Sequence, residues 1–121
     1  MGSIGTSITT TTKFEYEEPL LSAGKPTQAS RDIFYENYRA AQRLVQGSED
    51  KNFAMSSLYM NDEMASMSTQ TLKGVQYLIN QERETLDVDR DFGVIDETKA
   101  NTLKNALNVV QKTLNNQWKN R

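Results

Sequence analysis

Apolar positions recur at helical spacing three times along the chain. Phe34, Tyr38, Ala41 and Val45 follow one another at intervals of 4, 3 and 4, and Ile33 and Leu44 widen the stripe. Arg31, Glu36, Arg39 and Arg43 fall off it, so the pattern predicts an amphipathic helix over about 30–46. Ser30 is the expected N-cap, Asp32 stands in the first turn, and Gly47 is placed to end the helix at C′.

A turn at Gly47-Ser48-Glu49-Asp50 follows, with Ser48 or Asp50 available to cap the next element. Leu58, Ala65, Leu72 and Ile79 stand seven residues apart, and Met64, Met67, Val75 and Leu78 broaden that seam. Residues 51–84 are therefore expected to be mostly helical. Unbroken, such a helix would be about 51 Å long, so a break is expected at Asn61-Asp62 or within Ser66–Thr71, where Ser and Thr bond locally to the backbone. Gly74 is a weaker place for it. The stretch TLDVDRDFGVIDE is expected as a loop leading to a last helix at about 97–119, capped by Asp96. Its stripe is Leu103, Leu107, Val110, Leu114 and Trp118, with Ala106 alongside, and the rest is Asn, Gln, Lys and Thr. A narrow apolar seam on a polar cylinder suits a hairpin or coiled-coil partner.

Residues 1–29 carry no such period and are expected to form an extended or disordered arm. MGSIGTSITTTTK is too poor in apolar surface to offset the entropy of ordering it, though Thr and Ile favour an extended strand on contact. Within the arm, Phe14, Tyr16, Leu20 and Leu21 make a short apolar segment around Pro19, closed by the turn residues Ser22–Pro26. Such a segment either docks on a neighbouring subunit or folds back on its own domain. The expected fold is all-α: an arm over 1–29, then a helical domain over 30–121. That domain holds three amphipathic helices, or four if the second breaks, in a hairpin or small bundle.

Composition narrows the chemistry. Only 36% of the 121 residues are apolar, and Ser, Thr, Asn and Gln supply 39 of them. The chain has no Cys and no His, which excludes disulfides, thiolate or imidazole metal sites and Cys–His or Ser–His nucleophiles. No apolar run approaches the length of a membrane helix, and no leader of the secretory kind is visible. The expected setting is the cytoplasm or an assembled particle. The net charge of −2 points to no polyanionic partner. Five acids and one Arg fall between Thr85 and Thr98, whereas Lys99, Lys104, Lys112, Lys119 and Arg121 meet no acid after them. Acids near a helix start and bases toward its end complement the helix dipole. The lysines are also too sparse, with only Trp118 beside them, for a nucleic-acid stripe.

Four motifs invite chemistry, and each has a plainer explanation. Asp87-Val88-Asp89-Arg90-Asp91 resembles a calcium loop in spacing, but Phe92 stands where the sharp turn needs glycine and Thr98 where a bidentate Glu belongs. It is better explained as an acidic connecting turn. Met55, Met60, Met64 and Met67 fall within 13 residues, which suits core packing or an adaptable partner groove more than copper. Met1–Thr6 fits a myristoylation pattern, and Ser48–Lys51 an S-x-x-K pattern, each too short to carry weight alone. No cofactor, metal, small-molecule substrate or enzymatic activity is expected.

The expectation is a non-enzymatic structural or assembly protein, of the kind found in virions and filaments, that self-associates or joins a multi-subunit complex. The candidate contact residues are Phe14, Tyr16, Leu20, Leu21, Met60, Met64, Met67, Leu107, Val110, Leu114 and Trp118. The alternatives are a monomeric adaptor or inhibitor using its Met-rich or basic helix, and a nucleic-acid accessory protein using Lys99–Arg121.

Overall fold

The computed structural model describes residues 13–47 and 62–121. The expectations for residues 1–12, for the Ser48–Lys51 turn and for Met55, Leu58, Met60 and Asn61 lie outside the described residues. Those described form an all-helical fold: α1 (Gln28–Val45), the short α2 (Asp62–Ser66), α3 (Thr69–Asp91) and α4 (Glu97–Lys119). An extended segment over residues 13–27 precedes α1.

Helix α1 begins earlier than the Ser30 cap predicts. Thr27 is the N-cap, its hydroxyl accepting from the Ser30 amide while the Ser30 hydroxyl accepts from the Thr27 amide, a reciprocal capping box. Ser30, one turn inside, is left to donate its hydroxyl to the Thr71 carbonyl of α3 at 2.7 Å. Helix α1 ends as expected, with Gln46 as C-cap and Gly47 at φ 69°.

Within the described part of the long second segment, the break falls in Ser66–Thr71. Met67 and Ser68 interrupt the helix, and the Ser68 hydroxyl caps α3 by accepting from the Thr71 amide. Gly74 breaks nothing; it lies inside α3 where α1 crosses closest, and a Cβ there would sit 2.7 Å from the Pro26 Cα. Helix α3 continues to Asp91, past the expected end at 84. No breaker precedes Gly93, Leu86 anchors the extra turns in the core, and Arg90 pairs with Asp87 one turn back. Gly93, at φ 76°, ends it, and Asp96 caps α4 through the Lys99 amide.

Ser30 meets Thr71 and Tyr38 meets Glu82, so α1 and α3 run parallel. Gln76 meets Gln111 and Arg83 meets Asn108, so α4 runs antiparallel to α3 and closes a three-helix bundle. The predicted stripes face inward: Phe34, Ala41 and Val45 of α1, Leu72, Val75 and Ile79 of α3, and Leu107, Val110 and Leu114 of α4 are fully buried, with Tyr38 nearly so. Helix α2 packs its Met64 into the same core. Arg121, past the end of α4, donates to the Ala65 and Met67 carbonyls and ties the α2–α3 junction to the bundle. No helix among the described residues is long and apolar enough to cross a membrane.

Candidate protein-interaction surface

Helix α4 departs most from its predicted form. Beyond the apolar seam it buries Asn105, Gln111, Thr113 and Asn115. Asn101, Asn105, Asn108, Gln111 and Asn115 recur at intervals of 4, 3, 3 and 4. They form an amide stripe parallel to the leucine stripe and one step around the helix from it. That spacing is visible in the sequence, but amides are ordinarily read as solvent-facing, so the buried role was missed.

The stripe holds the extended segment by its backbone. The Phe14 amide donates to Asn105 Oδ1 at 2.6 Å, and Asn108 Nδ2 donates to the Phe14 carbonyl at 2.9 Å. Two turns on, the Leu20 amide donates to Asn115 Oδ1 at 3.2 Å, while Asn115 Nδ2 donates to the Glu18 carbonyl at 3.0 Å and the Glu17 carboxylate at 3.2 Å. A side-chain amide presents one acceptor and two donor hydrogens, so it can mimic a neighbouring β-strand toward an extended chain. This arrangement recognises a backbone and leaves selectivity to the few side chains that find pockets. Leu21 is buried in the core, and Phe14 packs against it.

From the other side, α3 contributes Arg83. Its guanidinium lies 5.0 Å from the centre of the Tyr16 ring, and its Nη2 donates to Asn108 Oδ1 at 2.8 Å. The segment is thus clasped in the groove between α3 and α4. Burial pulls the Arg83 guanidinium below its ordinary pKa, and the fields of Tyr16, Asp87 and Tyr38 oppose that shift. The track also runs inward. Gln111 Nε2 donates to both Gln76 Oε1 and Asn115 Oδ1, and Gln76 Nε2 donates to both Gln111 Oε1 and Asn80 Oδ1. Four amides therefore link the docked backbone to the far side of α3, with the amide donors of Gln76, Gln111 and Asn115 all used.

The predicted contact residues divide between core and surface. Met64, Leu107, Val110 and Leu114 are fully buried, and Leu21 nearly so. Met67 and Trp118 are partly buried against the core, as is Phe14. Tyr16 at 53% and Leu20 at 47% exposure remain on the surface while the segment is docked. Met60 is outside the described residues. Phe14–Leu21 therefore takes the fold-back position, on the chain's own bundle. Sequence reasoning missed Phe92 and Val94, which stand 82% and 69% exposed on the α3–α4 turn.

That turn is well formed rather than loose. The Val94 and Ile95 amides both donate to the Asp89 carbonyl. The calcium-like stretch is helical through Asp91, which turns Asp89 away from Asp87 and Asp91, and Asp87 is paired with Lys104 and Arg90. The hydrogen bond from Lys104 holds the Asp87 carboxyl below its usual pKa. Among the described residues no three acidic side chains converge as a metal site. A concave surface of about 550 Å³, lined by Lys13, Phe14, Thr98, Asn101, Asn105 and Asn108, continues the track beyond Phe14. In comparisons with protein-family models, curated proteins and solved structures, the chain matches none.

Proposed function

We propose that the chain is a non-enzymatic helical subunit that works by association, and that the α3–α4 groove is its working surface. One observation carries this: Asn105, Asn108 and Asn115 are spent on the backbone of an extended segment. Burying amides in such a role costs more than burying apolar side chains unless every bond is made. The sequence thus commits part of its limited interior to holding a strand, whose Leu21 enters the core. Assembly ties of extended chain use main-chain hydrogen bonds for affinity and a few anchors for selectivity. Phe14 and Leu21 supply the anchors.

The position of the segment on its own bundle favours a second reading, a monomeric adaptor that binds one protein partner. Light scattering on material eluting from a sizing column separates the two. Assembly predicts a mass that is a multiple of the 13.8 kDa chain and rises with concentration. A concentration-independent monomer overturns it in favour of the adaptor.

A further inference from the structure

Apart from the groove, we infer that the α3–α4 turn is a docking knob for a partner protein that presents apolar side chains among lysines or arginines. Phe92 and Val94 form the knob, with Val88 beside them and acids around them.

The fold explains why these side chains are held outward but not why they are apolar. Leu86 is buried and Ile95 packs against the core, so the inward places at this end of the hairpin are taken. Phe92 and Val94 stand 82% and 69% exposed, the most open of the large apolar side chains among the described residues. Val88, one turn before Phe92 on the same face of α3, is half-exposed as well. Polar residues would serve the turn equally, and apolar ones clustered in water mark a contact surface. The knob is also stiff. Gly93 takes the left-handed conformation at φ 76°, and the Val94 and Ile95 amides donate to the Asp89 carbonyl at 2.8 and 3.4 Å. A rigid, exposed aromatic loses little entropy when a partner covers it, which is the character of an interface anchor.

Charge selects the occupant. Between Thr85 and Lys99 five acids stand against Arg90 and Lys99, a net charge of −3. Arg90 is turned back on Asp87 and Asp91, at 3.4 and 3.5 Å, and Lys104 is paired with Asp87. Asp91, Asp96 and Glu97 remain exposed beside the apolar pair. Such a rim repels an anionic membrane surface and the phosphates of nucleic acid, and it attracts a basic protein surface. Phe92 and Val94 fill the partner's apolar hollow while the acids meet the cations around it. The chain's own extended segment, which carries Glu15, Glu17 and Glu18, does not match that rim.

The test titrates the full chain, labelled with nitrogen-15, with a synthetic amphipathic helix of leucine and lysine. A control peptide has serine in place of every leucine. Amide shifts should cluster from Val88 to Glu97 with the first peptide, and the control should bind far more weakly. Phe92→Ser, which leaves the core untouched, should weaken the first peptide by about 10–100-fold, the worth of burying one Phe side chain. Val94→Ser should weaken it less. Asp91→Asn together with Glu97→Gln should weaken it too and flatten its dependence on salt. Equal affinity for both peptides, shifts centred on Glu15–Glu18, or unchanged binding by the Phe92→Ser chain would overturn the knob. Phe92-dependent binding to phosphatidylserine vesicles in place of the peptide would overturn it as well, making the turn a membrane contact. None of these outcomes bears on the hold of Asn105 and Asn115 on the extended segment.

Discussion

Gln76 and Gln111 face each other across the α3–α4 interface and exchange two hydrogen bonds, Nε2 to Oε1 in each direction, at 2.8 and 2.7 Å. Both side chains are buried. A closed amide pair of this kind fixes the register of the two helices, since a shift of one turn leaves two amides unsatisfied in a dry interior.

The pair makes a thermodynamic prediction. Gln76→Ala strands a donor and the acceptor of the buried Gln111 amide and should cost about 2–3 kcal/mol in urea unfolding. Replacing both residues by Leu should cost less than Gln76→Ala alone, because no buried amide of the pair is then left without a partner. A double replacement costing the sum of two single losses would show that the bonds are not coupled.

Gly74 predicts a steric result. Gly74→Ala places a methyl group against the Pro26 backbone and the Ser30 side chain. In an exposed helix this substitution would stabilise by about 0.5–1 kcal/mol; here it should destabilise by about 1–3 kcal/mol through overpacking. A rise in the melting temperature would contradict the close approach of α1 to α3.

Tyr38 predicts an alkaline effect. Burial, and then the charge of Glu82 and the hydrogen bond to it, push the phenol well above its ordinary value of 10.0. A raised folded-state value favours the neutral phenol. Its stabilising contribution is therefore complete below pH 10 and is lost as pH climbs past that point. Absorbance near the phenolate band should show one tyrosine titrating only as the fold is lost, and Tyr38→Phe should remove that late step. Ordinary titration of Tyr38 in the folded protein would refute its burial against Glu82.

The α3–α4 turn predicts neutrality. Phe92 is exposed and a Cβ on Gly93 would meet nothing. Phe92→Ser should change stability by no more than about 0.5 kcal/mol, whereas Leu86→Ala, on the buried face of α3, should cost about 2–5 kcal/mol. Comparable losses for the two would mean that the turn packs inward.

The helices and their inward faces were legible because apolar periodicity reports burial directly. Leu107, Val110 and Leu114, or Phe34 and Tyr38, could face only one way. The end of α4 and its Asp96 cap were legible for the same reason, with local capping chemistry added. The start of α1 was not, because Thr27 and Ser30 both cap well, and the choice was made by the bond from Ser30 to Thr71 in another helix. The extra turns of α3 were hidden by the acids of Asp87–Asp91, which resemble a loop until Lys104 is placed beside them. The groove was least legible. Asn105, Asn108 and Asn115 carry no sign of burial on their own, and their partner is a backbone that any sequence would supply.

Amide hydrogen exchange at Phe14 and Leu20 tests most directly whether α4 holds the segment by its backbone. In the wild-type chain both amides should exchange well below the rate of an unstructured peptide. Asn105→Ala should speed Phe14 by about 5–10-fold, the worth of one hydrogen bond of about 1 kcal/mol, while Leu20, bonded to Asn115, keeps its protection. Unprotected amides at both positions, or a Phe14 rate indifferent to Asn105→Ala, would contradict the asparagine track and the assembly role built on it.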